Sequence, residues 1–181
     1  NQGNIFTASI ILDATPPAGS ILINDGAAYA TSLNATLTLT ASDVTSGVDA
    51  RRFSTDGGTT WSAWEVFAAT QSLTLPTGDG AKEVQYQLRD RAQNVATFTD
   101  TIILDSNSPS GSITINNGTT YTASLDVTLN LTASDATSGL DVMRFSTDQG
   151  LTWTVWEAIA NVKSLTLPPG DSLFKQVQYQ L

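Results

Sequence analysis

Two residue types that carry much of biological catalysis are missing from this chain: it has no cysteine and no histidine. Thiolate nucleophiles, Cys/His zinc sites and histidine-based triads are thereby excluded. No disulfide can staple the fold, so stability must come from packed apolar cores. Basic residues are scarce, 8 against 17 acids, for a formal charge of −9. A nucleic-acid partner needs a basic footprint, so none is expected. Glutamate is scarce too: 3 of the acids are Glu and the rest are Asp, a residue of turns and caps. No apolar run is long enough to span a bilayer, which takes about 20 residues, and no basic-then-apolar leader opens the chain. Membrane insertion is not expected from this segment, and any export signal or anchor is expected outside it. Thr, Ser, Asn, Ala and Gly make up much of the remainder, a composition that points to an extracellular, cell-surface protein.

What is present is present twice. Sliding the chain by 92 residues brings Asp13 onto Asp105, Tyr29 onto Tyr121, Trp61 onto Trp153 and Pro76 onto Pro168. Of the 68 positions 13–80, 40 are identical to their partners. A period of this length is too long for a solenoid unit and suits a complete small domain. The expected organisation is a first domain over 13–104 and a second over 105–181. Residues 1–12 are the last strand of a preceding or neighbouring domain.

Within a repeat the apolar period is 2. Residues 33–41 alternate Leu33, Ala35, Leu37, Leu39 and Ala41 with polar residues, and 125–133 copy the pattern. Such alternation marks a half-buried antiparallel strand. Seven strands are expected in the first repeat, over 19–24, 33–41, 48–54, 61–67, 72–75, 82–89 and 95–104. Asn/Asp/Gly-rich turns separate them, and no stretch supports a helix. The fold class that follows is all-β: tandem immunoglobulin-like or fibronectin-III-like β-sandwiches. The joins at 12–17 and 104–109 are short and stiffened by proline.

The string Asp-x-Thr-Ser-Gly-Val/Leu-Asp is followed by Arg-Phe-Ser-Thr-Asp-x-Gly-x-Thr-Trp and Leu-Thr-Leu-Pro-x-Gly-Asp. Together with Leu88-Arg89-Asp90-Arg91-Ala92-Gln93-Asn94 and Ile102-Ile103-Leu104-Asp105, these strings resemble the Ig-like, fibronectin-III-like modules of large prokaryotic surface proteins. The resemblance covers nearly the whole chain and implies spacing, display or adhesion. One departure is Gln93, where the family pattern has glycine.

Ser54, Asp56, Gly58 and Trp61, with Ser146, Asp148, Gly150 and Trp153, match the Asp-box pattern Ser-x-Asp-x-Gly-x-Thr-Trp. The resemblance invites comparison with sialidases, but their arginine cluster cannot be assembled from 8 basic residues over two small domains. The expected role is structural, with the carboxylate accepting backbone amides across a turn. Trp61 and Trp64, and likewise Trp153 and Trp156, lie three apart. On a strand their rings would point to opposite faces, one in the core and one available to stack on surface glycans. Glu65 and Glu157 are expected in cross-strand ion pairs with Arg52 and Arg144 rather than in catalysis, since each repeat supplies one such carboxylate where a glycosidase needs two. Asp43, Asp49, Asp135 and Asp141 flank the Thr-Ser-Gly turns, while Asp13, Asp90 and Asp105 sit at domain ends. These acids are the candidate ligands for calcium, although Asx-turns account for most of them. Asn34, Asn117 and Asn130 open glycosylation sequons.

The ends are out of phase with the domains. Residues 1–4 read as a loop, and 5–12 (Ile5, Phe6, Ile10, Ile11 and Leu12 among them) parallel 97–104, the last strand of the first repeat. At the other end 178–181 match 85–88, so the second domain has no last strand of its own in this sequence. Two explanations fit: the sequence is a window cut from a longer continuous array, or residues 5–12 of one subunit fill the gap in the next by strand addition, which would build a filament. Both make 5–12 a strand that completes a neighbouring copy of the second domain. The expected function is a non-enzymatic structural module of an extracellular repeat protein: a stalk, filament or adhesin whose partners are copies of itself or adjoining repeats. The alternatives are a carbohydrate-binding module using exposed tryptophans and an accessory domain of a secreted hydrolase.

Overall fold

Seven strands build the first unit of the computed structural model: β1 (Ala18–Ile23), β2 (Tyr29–Ala30), β3 (Asn34–Ser42), β4 (Val48–Ser54), β5 (Thr70–Thr74), β6 (Gly80–Asp90) and β7 (Val95–Leu104). Among the described residues six build the second: β8 (Ser110–Ile115), β9 (Asp126–Ser134), β10 (Val142–Ser146), β11 (Glu157–Ala158), β12 (Val162–Thr166) and β13 (Gln178–Gln180). The structure describes residues 4–170 and 174–181. Asn1, Gln2 and Gly3 of the expected opening loop, and Asp171 of the second Leu-Thr-Leu-Pro-x-Gly-Asp string, lie outside the described residues. The two units are Asn1–Ser106 and Asn107–Leu181.

Each unit is an all-β sandwich of the immunoglobulin and fibronectin-III kind. In the first, one sheet has the order β1-β3-β5 and the other β2-β7-β6-β4. In the second, β8-β9-β12 faces β11-β10-β13. Among the described residues there is no α-helix; one three-residue 3-10 turn per unit (Asn24–Gly26, Asn116–Gly118) follows the first strand.

The alternating stretches form the middle strands β3 and β9, and their inward residues are the cores. Ala35, Leu37 and Leu39 are buried against Ile21, Ile23, Phe53, Tyr86 and Leu88. Val127, Leu129 and Leu131 are buried against Met143, Phe145 and Leu167. Burying each such Leu contributes roughly 1.5–3 kcal/mol. The outward residues are polar, mostly Thr and Ser, and two pairs bond across strands: Ser20 Oγ to Thr40 Oγ1 and Ser112 Oγ to Thr132 Oγ1, each at 2.8 Å. One face is greasy and the other wet, as the period-2 pattern requires.

Two elements differ from expectation. Residues 61–67 do not form a strand; a single bridge joins Glu65 to Arg51, and the second repeat has only the two-residue β11 against β10. Serine and threonine hydroxyls take over pairing there, with Ser62 Oγ accepting Phe53 N and Thr154 Oγ1 accepting Phe145 N, each at 3.0 Å. The short strand β2, absent from the expected set, runs parallel to the end of β7. Gln93 has φ 74° and so takes the left-handed conformation that a glycine would supply at this corner.

Candidate functional site

The side chains richest in chemistry gather on the outer side of β4 and β6. The hairpin turn that leaves β4 is built by the Asp-box residues. Ser54 Oγ donates to Asp56 Oδ1 at 2.7 Å and accepts Gly58 N at 2.9 Å. Asp56 in turn accepts Thr60 N at 2.9 Å and Thr60 Oγ1 at 2.6 Å. Trp61 Nε1 donates to Gly58 O at 2.9 Å, laying the indole over its own turn. The second repeat repeats each bond through Ser146, Asp148, Gly150, Thr152 and Trp153. The Thr60 hydroxyl and amide, with the Ser54 hydroxyl, hold the Asp56 carboxyl down to about 2, and Thr152 and Ser146 do the same for Asp148. These carboxylates are spent on local donors.

The tryptophans are not split between two faces. Arg52 lies over both rings of its pair, 4.9 Å from Trp61 and 4.4 Å from Trp64, and Arg89 lies 4.7 Å from Trp64. Arg144 stands in the same relation to Trp153 and Trp156, at 4.9 and 4.3 Å. Strand alternation fails here because 61–64 has left the ladder, which lets both indoles turn toward one guanidinium. Arg52 is fixed by Gln87 Oε1 at 2.8 Å, and Arg144 by Gln180 Oε1 at 2.7 Å. Arg89 is held by a 2.6 Å ion pair with Asp49. Each cation–π contact contributes on the order of 0.5–2 kcal/mol, depending on its desolvation.

The expected pairing of Glu65 with Arg52 is corrected to Arg51, whose Nε lies 3.2 Å from Glu65 Oε1. Arg51 is buried beside Phe53 and donates to Ala68 O, Thr70 O and Gln71 Oε1. It shares a face with Phe53, two residues along the strand, and that parity is the signal that identifies it. In the second repeat Met143 fills the same buried position. There Glu157 pairs not with Arg144 but with Lys163, at 2.6 Å, and Lys163 occupies the place of Gln71. The cation has moved from one strand to another while the glutamate has stayed.

Of the acids singled out for calcium, Asp43 and Asp90 come together with Asp13, carboxylate oxygens of all three lying within 4.8 Å. Both oxygens of Asp13 accept amides of Thr15 and Ser46, those of Asp90 accept Asn94 N and Nδ2, and Asp43 Oδ1 accepts Gly47 N at 2.7 Å. The triad thus ties the incoming chain to the β3–β4 and β6–β7 loops. Asp49 lies apart from it in the Arg89 pair. Asp135 caps the matching loop through Thr137, Ser138 and Gly139; Asp105 is buried and Asp141 exposed. Of the sequons, Asn130 has a buried Nδ2, which removes it as a glycan acceptor.

No protein-family model and no curated protein matches the chain. Solved structures similar to it include fibronectin(III)-like modules of Clostridium thermocellum CbhA, with 13% identity and TM-score 0.46 over 83% of this chain and 80% of that one. A study of carbohydrate-binding modules of the β-sandwich superfamily supplies another, with 11% identity and TM-score 0.45 over 92% and 90%. A tetra-tandem repeat from the extending region of a large adhesion protein is similar at 19% identity and TM-score 0.31, over 86% of this chain and 42% of that one.

Proposed function

We propose that the chain is a non-catalytic structural module of an extracellular repeat protein, a stalk, filament or adhesin body. One observation carries this reading: in both repeats the groups that a binding or catalytic site would use are engaged within their own domain. The Asp-box carboxylates brace turns, Glu65 and Glu157 hold cations, and the tryptophans clasp Arg52 and Arg144. A sugar platform needs an indole face open to the ligand, whereas two guanidiniums already lie over Trp64. The accessory-domain alternative has no feature of its own here.

Trp64→Ala separates the readings. A clasp predicts a loss of about 2 kcal/mol in stability, from lost packing and two cation–π contacts, with no change in affinity for soluble polysaccharides. An unchanged melt together with loss of a saturable polysaccharide isotherm would overturn the proposal in favour of glycan binding. Antibodies raised against the chain should label intact producing cells; labelling only after lysis would count against an extracellular role.

A further inference from the structure

The outer edge of β5 is covered by side chains where a sheet would have a strand. β5 pairs with β3 on one side; on the other, among the described residues, it has no neighbour. The bonds from Leu39 N to Ala69 O and from Leu75 N to Leu33 O set the phase of that ladder. Successive residues turn their peptide groups to opposite edges, so the carbonyls of Ala68, Thr70 and Ser72 point away from β3. All three are taken. Arg51, on β4 of the facing sheet, donates through Nη1 to Ala68 O and, at 3.3 Å, to Thr70 O. Its Nη2 donates to Gln71 Oε1 at 2.7 Å, and Gln71 Nε2 donates to Ser72 O at 3.0 Å. An arginine and a glutamine in relay thus fill three successive outward carbonyls, the groups that an added strand would bond.

Apart from that relay, little keeps a strand off this edge. Its five residues, Thr-Gln-Ser-Leu-Thr, include no charge and no proline, and they pair with β3 in one register without a bulge. Charge, proline and bulges are the usual means by which an edge strand resists another chain. A cleft of about 570 Å3 lined by Phe53, Ala63 and Leu73 opens beside it, with room for the inward side chains of an added strand. The second repeat meets the same hazard differently. Met143 stands for Arg51 and has no donor, so the relay cannot form. Lys163 stands for Gln71; opposite the buried Leu129, it lies on the inner face of β12 and pairs with Glu157. A charge on the inner face of an edge strand is itself a barrier to strand addition.

We infer that Arg51 and Gln71 are an edge guard: by standing in for a neighbouring strand they keep β5 from pairing, antiparallel, with the β5 of a second copy of this chain. Every copy carries the same free edge, so the contact held off is two-fold and self-complementary. Centred on Ser72 it sets Ser72 opposite Ser72 and Thr70 opposite Thr74, and it engages all five residues. Both members of the guard belong to the interior of the first domain, and the inference stands without the repeat-module reading above.

Arg51→Met, Gln71→Val removes every donor of the relay while leaving packed apolar groups in its place. The variant should keep the circular dichroism of the parent and sediment, with rising concentration, as a heavier species than the parent does. Since the chain has no cysteine, Ser72→Cys reports the register. Two facing residues of an antiparallel hydrogen-bonded pair have Cα atoms about 5.5 Å apart, within the span of a disulfide. Under mild oxidation Ser72→Cys alone should give no more dimer than Thr45→Cys, an exposed loop position that measures chance collision. Ser72→Cys added to the double variant should make the dimer the main product. Gln71→Val alone leaves Arg51 and the core in place, so the test does not depend on the double variant folding; with Ser72→Cys it should give the same dimer in smaller yield. Ser72→Pro costs no bond to β3, since that amide faces outward, and should return the double variant to the sedimentation of the parent. No excess dimer in either folded variant, a dimer from Ser72→Cys alone above the Thr45→Cys level, or association that survives Ser72→Pro would each overturn the inference.

Discussion

At the scale of single residues the two repeats are a paired experiment on a buried charge. Arg51 and Met143 fill equivalent buried places, and the glutamate nearby is served by Arg51 in one repeat and Lys163 in the other. Arg51 is buried while its partner Glu65 is 44% exposed. Truncating Arg51 forfeits its packing and its bonds to Ala68 O, Thr70 O and Gln71 Oε1, whereas exchange for a packed apolar residue is often neutral. Arg51→Ala should therefore lower stability by about 3 kcal/mol. The double change Arg51→Met, Gln71→Lys, which writes the second repeat's solution into the first, should fall within about 1 kcal/mol of the parent. Denaturant midpoints decide it: equal losses in both variants would mean that the lysine does not replace the arginine. Asp56 and Asp148 give a pH signature. Each carboxyl is held at about 2 against an ordinary 3.8, so its contribution is complete above the ordinary value and is lost as pH falls toward 2. Melting temperatures should drop across that window, and should drop less steeply in an Asp56→Asn, Asp148→Asn variant. Parallel pH profiles for the two proteins would refute it.

At the scale of elements, what was legible and what was not divide along physical lines. Strands β3, β6 and β7 were readable because one face is buried and the other wet, which writes a period of 2 into the sequence. The 61–67 segment imitates a strand because tryptophan and valine favour strands, yet it is held by a single bridge at Glu65 and by the amide and hydroxyl of Ser62 on Phe53. Strand parity would put the aromatic pair on two faces, whereas both rings surround one arginine. Strand β2 was illegible, since two residues carry no period and its pairing depends on a strand 74 positions later (Tyr29 with Ile103). At the site, the Asp-box residues were found by spacing, but the clasping role of Arg52 was not, because charge alone suggested Glu65 as its partner. Turn chemistry makes a prediction of its own. Gly57 has φ 69° and its counterpart Gln149 has φ 64°, a conformation costing a non-glycine residue about 1–2 kcal/mol. Gln149→Gly should raise the melting temperature of the second repeat, offset in part by glycine's greater freedom when unfolded. A lower melting temperature would show that the glutamine side chain contributes more than the backbone loses.

At the scale of the molecule, the same sandwich appears twice, with its apolar core intact in both and its edges differing. Strand β2, near the start of the first domain, lies beside and parallel to β7, which ends it; the link is made by Ile103 N to Ala28 O at 3.1 Å and Asp105 N to Ala30 O at 2.8 Å. Traction applied through Asp13 and Asp105 slides these strands lengthwise past each other, so the bonds between them share the load and fail together. By contrast, handles at Ser54 and Gln85, paired at one end of the antiparallel β4–β6 ladder, peel that ladder open one bond at a time. Single-molecule extension through Asp13 and Asp105 should give one abrupt rupture releasing about 30 nm of chain, at a higher force than extension through Ser54 and Gln85. Equal forces in the two directions would refute the idea. The direction in which two residues lie beside a terminal strand thus makes the domain strong along the line of its chain and weak across it.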